Sequence, residues 1–186
     1  MLSCGEVVIV SGPPGSGKTT VSTALASECG RGVHLESDWF FRFIRSGFVA
    51  ASLPEAHSQN EAVMTVAADA AAAYAEAGYA VVWDGIVGPW FLDQVARRLA
   101  DRKIPMRYLV LRPSRTSALG RVRRRDDVVD TADAEALYAQ FSDQGDLETH
   151  VVSSDGPVAR VIEACRAALA DDGLRIDLDS QSDLAR

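Results

Sequence analysis

The sequence predicts an α/β chain: a five-stranded parallel sheet between two layers of helices, forming one domain. Short apolar, β-branched runs alternate with longer stretches of helical periodicity, the pattern of parallel strands joined by crossover helices. The length, 186 residues, suits one core of ordinary size and falls short of two. No internal repeat or linker-like stretch divides the chain.

The strands are expected at Glu6–Ser11, Gly32–Glu36, Tyr79–Asp84, Pro105–Leu111 and Thr149–Val152. The first helix is expected from Gly17 to Cys29, stopped by Gly30, and a short one from Asp38 to Gly47. "SLPE", Ser52 to Glu55, has the spacing of a capping box, so a long helix should begin there and end at Gly78. Val63, Val66, Ala67, Ala70, Ala73, Tyr74 and Ala77 recur at helical spacing and mark its expected buried side. Further helices fit Pro89–Asp101, Pro113–Arg125, Ala132–Asp143 and Pro157–Asp171. The domain is expected over 1–171, and the polar, acidic stretch 172–186 is expected to be loosely held or disordered.

Net charge is −7 and the pI about 4.9, which gives no general attraction to nucleic acid or anionic lipid. Cys4, Cys29 and Cys165 are far apart and show no metal spacing, so they read as small buried hydrophobes and not as a disulfide framework or zinc site. The N-terminus has no basic leader, and the alanine-rich stretch 62–83 carries Asp69 and Glu76, too polar for a spanning helix. A soluble protein in a reducing cytoplasm is the expectation, with no membrane and no nucleic acid among its partners.

"VVIVSGPPGSGKTT", Val7 to Thr20, holds the functional signal. Gly12 to Thr19 matches G-x-x-x-x-G-K-[ST] between a predicted strand and a predicted helix, the context this phosphate loop requires. The glycines allow the loop to curl until backbone N–H groups point inward at phosphate oxygens, and the helix N-terminus adds its dipole. Gly12, Pro13, Pro14, Gly15, Ser16, Gly17, Lys18, Thr19 and Thr20 are therefore the expected nucleotide contacts. Lys18 would reach the β- and γ-phosphates, Thr19 would hold Mg²⁺, and Thr20 would donate to the α-phosphate. Of 19 basic residues only two, Lys18 and Lys103, are lysines, so an arginine-using chain keeps lysine where a compact point charge is wanted.

The second lysine lies in "KIPM", not in a guanine-reading loop, which argues against a GTPase switch. The run "AVVWDG" ends in Asp84 followed by Gly85, without the Asp-Glu pair by which ATP-driven machines activate water. Transfer to an acceptor other than water is thereby favoured. The pattern resembles the small P-loop kinases, a family that includes gluconate kinase, shikimate kinase and chloramphenicol phosphotransferase, together with the AAA-type ATP-binding proteins near them. The resemblance spans about the first 170 residues and implies a three-layer P-loop NTPase fold, nucleoside-kinase-like, with ATP and Mg²⁺ as donor and cofactor.

In that family an acidic residue after the second strand contacts the acceptor hydroxyl, and "LESDWFFR" places Asp38 there, with Arg42 four residues on as in nucleoside monophosphate kinases. Independently, loops leaving the carboxyl ends of parallel strands line the ligand crevice, and Asp38 follows the second strand as the phosphate loop follows the first. A carboxylate there can take the acceptor's proton; the alternative is a helix cap. Asp84 ends the third strand at the same edge. It either holds Mg²⁺ through water or shares the acceptor contact, or simply accepts backbone bonds in the turn before Gly85.

Trp39, Trp83 and Trp90 all fall near the ends of the second and third strands, with Phe40, Phe41, Phe43, Phe48 and Phe91. This concentration predicts a pocket for a flat or partly apolar acceptor, with Arg42, Arg45, His57, Gln59 and Asn60 as polar contacts and Asp38, Trp39, Phe41, Asp84, Gly85 and Trp90 on its wall. "LRPSRTSALGRVRRRDD", Leu111 to Asp127, follows the fourth strand. In the resembling kinases this is a lid whose arginines close on the triphosphate. The lid is expected at about 113–143, with Arg121 or Arg125 as the matching arginine; the alternative is a solvated helix face paired with Asp126 and Asp127. Ser153, Ser154 and Asp155 fit either adenine contacts or an ordinary helix start. The function expected is ATP-dependent phosphorylation of a small molecule by a monomer or weak homodimer. The alternatives are a nucleotide or nucleoside kinase, and an ATP-binding switch or toxin-like protein.

Overall fold

The structure, a computed structural model, describes residues 2–124 and 131–176. Its centre is an all-parallel sheet of five strands in the order β2-β3-β1-β4-β5: β1 Val7–Ser11, β2 Gly32–Glu36, β3 Ala80–Asp84, β4 Met106–Arg112 and β5 Val151–Ser153. Val7 stands level with Val81 on one side and Met106 on the other, so β1 is fully flanked. All five strands overlap the segments expected from the sequence, to within two residues at each end.

Alternation along the strands divides the core into two layers. Val7, Ile9, Val81, Trp83, Tyr108 and Val110 face α3 (His57–Glu76) and α4 (Pro89–Asp101). Val8, Val10, Val82, Leu109 and Leu111 face α1 (Lys18–Ser27) and α7 (Val158–Ala170). The result is the expected three-layer α/β fold. A short α2 (Ser37–Arg42) follows β2, while α5 (Arg115–Arg124) and α6 (Thr131–Gln140) pack against each other through Leu119, Val122 and Ala134, a small core of their own. The Arg115–Glu135 ion pair joins the two helices at 3.1 Å.

Several expectations are corrected. The long helix begins at His57 after a 3-10 turn, Pro54–Ala56, and no side chain caps it. The Ser52 hydroxyl donates instead to Asp133 Oδ2 of α6, at 3.1 Å. The buried face of α3 is Val63, Met64, Ala67, Ala68, Ala71, Ala72 and Ala75, whereas Val66 and Tyr74 are exposed. An alanine-rich helix offers many near-equivalent stripes, and close approach to α4 selects the one with the smallest side chains. The Asp38 helix stops at Arg42, well short of Gly47. The start of the acidic tail is packed: Leu174 is buried, Ile176 N–H donates to Met106 O at 3.2 Å, and Arg175 bridges Arg107. Residues 177–186 lie outside the described residues. Only Cys165 is buried; Cys29 is half-buried and Cys4, in the turn before β1, is exposed. No helix among the described residues is long and apolar enough to cross a membrane.

Candidate functional site

β1 is the switch point of the sheet, with later strands added on both sides, so the loop leaving it opens into the crevice where doubly wound sheets bind ligands. The geometry of that loop depends on glycine. Gly12 has φ +139°, and a Cβ there would lie 2.2 Å from the Leu111 carbonyl oxygen; Gly15 has φ +78°, and its Cβ would lie 2.3 Å from the Ala118 oxygen. Backbone crowding of this kind cannot be relieved by a side-chain rotation, so the loop is held against β4 and α5 by the absence of side chains. Ser16 N–H donates to Pro13 O at 3.2 Å, closing the curl.

α1 starts at Lys18 with left-handed Gly17 as N-cap, no side-chain cap and no acidic residue in its first turn. Its N-terminal dipole end therefore faces the loop uncompensated, an anion site built from backbone. Lys18 Nζ arches over the loop and donates to Gly12 O at 2.9 Å and Pro13 O at 3.2 Å. Beside the loop lies a cavity of about 410 Å³, lined by Gly15, Ser16, Gly17, Thr20, Val21, Arg121, Arg124, Ser154, Gly156, Val158 and Val161. Val21, Val158 and Val161 give its wall an apolar part, as a stacked base requires.

Arg121 closes one wall, its guanidinium donating to Gly15 O at 3.2 Å and to Ser154 O at 2.9 Å. Of the other arginines, Arg112 forms a two-point pair with Glu148 and also donates to Phe141 O and Ser142 O, so it braces the chain after α6. Arg124 lines the cavity. Arg125 lies outside the described residues, with Asp126 and Asp127. Asp155 accepts from the Ser114 backbone N–H at 2.8 Å and hydroxyl at 3.2 Å. The Ser117 hydroxyl, those two bonds and nearby Arg121 hold its carboxyl below the usual range. Asp155 thus ties the β5–α7 loop to the start of α5, and of the three expected base contacts Ser154 is on the cavity wall while Ser153 and Asp155 are not.

Asp84 ends β3 beside Val10 of β1 and is 5% exposed. Its side chain points to the α1 face, where Oδ2 lies 3.0 Å from His34 Nε2. His34 Nδ1 is 3.3 Å from Thr23 Oγ1, and that hydroxyl donates to the Thr19 carbonyl at 2.7 Å. Thr19 and Asp84 are thereby linked through two side chains. A hydroxyl and a nearly buried carboxylate are hard oxygen donors of the kind Mg²⁺ takes beside a triphosphate, so the residues present fit that ion.

The opposite face of the sheet carries a second cavity of about 360 Å³. Ser37, Asp38, Phe41 and Arg42 of α2, Asn60 and Met64 of α3, Ile86, Trp90, Phe91, and Leu137 and Gln140 of α6 form most of its wall. Asn60 Nδ2 donates to Ala51 O at 2.9 Å, while its Oδ1 is buried and meets no donor among the described residues. Asp38, Phe41, Arg42 and Trp90 are thus brought together as the sequence pattern implies. Other expected contacts are not. Trp39 stands outward beneath the Arg42 guanidinium, 4.9 Å from its ring centroid, and Arg45 is exposed. Gln59 spends both ends of its amide on Val49, bracing the loop. His57 is exposed, pairing with Glu61 at 3.3 Å. Trp83 is core. Asp84 is absent from this wall because its place in the strand turns it to the other face; Gly85 instead lets Ser37 press against β3. Met64, Ile86, Leu137 and Gln140 were not read from the sequence, since each belongs to an ordinary apolar or helical pattern and only the fold brings them to one wall.

Three solved structures illustrate the shared fold. A gluconokinase from Sinorhizobium meliloti 1021 superposes with a TM-score of 0.67 at 18% identity, covering 90% of this chain and 93% of its own. The Mycobacterium tuberculosis APS kinase in complex with AMPPNP and APS gives 0.66 at 16% identity, over 91% and 99%. The tunicamycin resistance protein of Deinococcus radiodurans also gives 0.66 at 16%, over 91% and 96%. No curated protein sequence matches the chain. The fold is that of the small P-loop kinases. Residues 7–145 match the family model described as an AAA domain, a span that takes in the phosphate loop, Asp38, Asp84, α5 and α6, and the chain belongs to that family.

Proposed function

We propose that this protein is an ATP-dependent kinase that transfers the γ-phosphoryl group to a hydroxyl of a small, partly apolar molecule. The observation that carries the reading is the pair of cavities on opposite faces of the sheet's carboxyl edge, one floored by the phosphate loop and the other lined by Asp38. A protein that only hydrolysed nucleotide would have no use for the second. The apolar part of the first cavity takes the adenine, the loop amides and Lys18 hold the phosphates, and Arg121 and Arg124 face the charge that spreads during transfer. Bound Mg²⁺, held through Thr19 and Asp84, would neutralise the β- and γ-oxygens. Asp38 orients the acceptor hydroxyl and takes its proton, positioning being the larger part of such catalysis.

The acceptor cavity supports one apolar face, against Phe41, Met64, Ile86, Trp90 and Phe91, and one hydroxylated face, toward Asp38, Asn60 and Gln140. Arg42, beside Asp38 on that wall, favours a second reading in which the acceptor carries a phosphate or carboxylate, as a nucleoside monophosphate does. A lone guanidinium against so many apolar groups makes this the weaker of the two. The α5–α6 hairpin serves as the lid, since α5 contributes Arg121 and Arg124 to the donor cavity and α6 contributes Leu137 and Gln140 to the acceptor cavity.

The test is an ATP-consumption screen over sugars, sugar acids, nucleosides, nucleoside monophosphates and hydroxylated antibiotics, with mass detection of a product heavier by one phosphoryl group. Acceleration by a neutral amphipathic alcohol supports the reading. Acceleration only by nucleoside monophosphates supports the second. Slow hydrolysis that no acceptor accelerates, with a conformational response to a protein partner, would assign the fold to an ATP-binding switch.

A further inference from the structure

His34 is a polar side chain on a sheet face whose core is apolar. It lies in the middle of β2, level with Val82, on the sheet face formed otherwise by Val8, Val10, Val82, Leu109 and Leu111. Its side chain is 16% exposed, and both ring nitrogens have partners. Nε2 meets Asp84 Oδ2 at 3.0 Å, and Nδ1 meets the Thr23 hydroxyl oxygen at 3.3 Å, which in turn donates to the Thr19 carbonyl at 2.7 Å. One imidazole thus touches the carboxylate at the end of β3 and, through one hydroxyl, the residue at the start of α1.

We infer that His34 is the positioning residue of the metal site: its Nε2–H fixes the Asp84 carboxylate, and its contact with Thr23 sets β2 against the first turn of α1, where Thr19 presents its hydroxyl. The inference rests on the reading of Thr19 and Asp84 as the protein's hold on Mg²⁺. An aspartate at a strand end can turn about two side-chain torsions, and each freedom lost on binding weakens the metal. A hydrogen bond to one oxygen removes that freedom beforehand and leaves the second oxygen available. Groups that orient a ligand in this way are typically worth about 10- to 100-fold in metal affinity.

The experiment uses the full chain with Mn²⁺ as probe, titrated at saturating AMPPNP and read from the free-ion electron paramagnetic resonance signal; AMPPNP affinity in EDTA is measured in parallel. His34→Leu is expected to weaken Mn²⁺ by about tenfold or more while metal-free AMPPNP affinity stays within about twofold of the parent. His34→Gln, whose amide N–H can replace Nε2–H, is expected to retain most of the affinity. Equal Mn²⁺ affinity in parent and His34→Leu overturns the inference, as does a matching loss in EDTA or a glutamine variant as weak as leucine. If thermal melting shows His34→Leu unfolded, Thr23→Val takes its place, since it removes the hydroxyl from an exposed helix position. Weakened Mn²⁺ with metal-free affinity unchanged supports the chain of contacts, and unchanged Mn²⁺ affinity overturns it. A parent protein in which Mn²⁺ and AMPPNP do not bind together overturns the kinase reading as well, whereas joint binding indifferent to His34 removes only this inference.

Discussion

The Ser37 hydroxyl donates to the backbone carbonyl of Asp84 at 3.1 Å, joining the first residue of α2 to the last residue of β3. The two carboxylates next to this bond face different ways. Asp38 lines the acceptor cavity, while the Asp84 side chain meets His34 on the α1 face. The bond therefore fixes the distance between the group proposed to receive the acceptor's proton and the group proposed to hold the metal.

Gly85 makes that contact sterically possible. A Cβ at this position would lie 2.0 Å from Ser37 Oγ and 3.1 Å from Ser37 Cβ. Gly85→Ala should push α2 off the sheet and cost about 1–3 kcal/mol, the usual range for overpacking. Ser37→Ala removes the nearer atom, so the double variant should recover part of that loss. Urea denaturation of the four proteins in the cycle reads the coupling directly, and strictly additive effects would show that α2 does not pack as described.

Asp38→Asn should leave AMPPNP affinity unchanged, because Asp38 belongs to the acceptor wall and not to the nucleotide wall. With the acceptor found by the screen, kcat should fall by about 10²- to 10⁴-fold, the range for loss of a general base. Unchanged turnover removes Asp38 from that role.

The donor side was legible because its chemistry is local. Eight consecutive residues, Gly12 to Thr19, carry the glycine pattern, the lysine and the helix start together, and the structure folds them as one unit. The strands were legible because buried parallel strands are short β-branched runs. The acceptor side resisted for the opposite reason. Its wall joins α2, α3, the start of α4 and α6, so Asn60, Ile86 and Gln140 meet only after the chain is packed. Trp39 and Phe41 are near neighbours in sequence, yet one faces outward and the other lines the cavity, a distinction that depends on how α2 is rotated. His34 had a visible signal, a histidine set between Val33 and Leu35 in a strand. Its meaning required Asp84 and Thr23, each on another element.

Cysteine chemistry separates buried from accessible thiols. Burial pushes the Cys165 thiol up to about 12, from an ordinary value of 9.0. The unfolded chain loses that proton near its ordinary value while the folded chain keeps it. Between these limits the unfolded state binds fewer protons, and stability falls as pH rises. At pH below the ordinary thiol value the effect is absent. Iodoacetamide on the native protein should therefore label exposed Cys4 and spare Cys165, which reacts only after denaturation. Native labelling of Cys165, read by peptide mass, would mean that α7 does not seal the α1 face of the sheet.

Arg121 spans the donor cavity from the phosphate loop, at Gly15 O, to the β5–α7 loop, at Ser154 O. Both bonds come from one planar guanidinium, and a lysine cannot reproduce the fork. Arg121→Met should lower acceptor-dependent kcat by about 10²- to 10³-fold, as removal of a transition-state donor does, and raise KM for ATP through loss of the bridge. Arg121→Lys should restore charge but not geometry, giving a kcat between methionine and parent. Asp155 supplies a control, since it ties the same loop to α5 without lining the cavity. Its carboxyl lies below the usual range, held there by Ser117, Ser114 and Arg121, so the tie is complete above the ordinary carboxylate value and is lost only as pH falls through the lower folded one. At neutral pH, Asp155→Asn should therefore raise KM for ATP a few-fold with little change in kcat. If Arg121→Met behaved the same way, Arg121 would be a strut of the base pocket and not a group that meets the transferring phosphate.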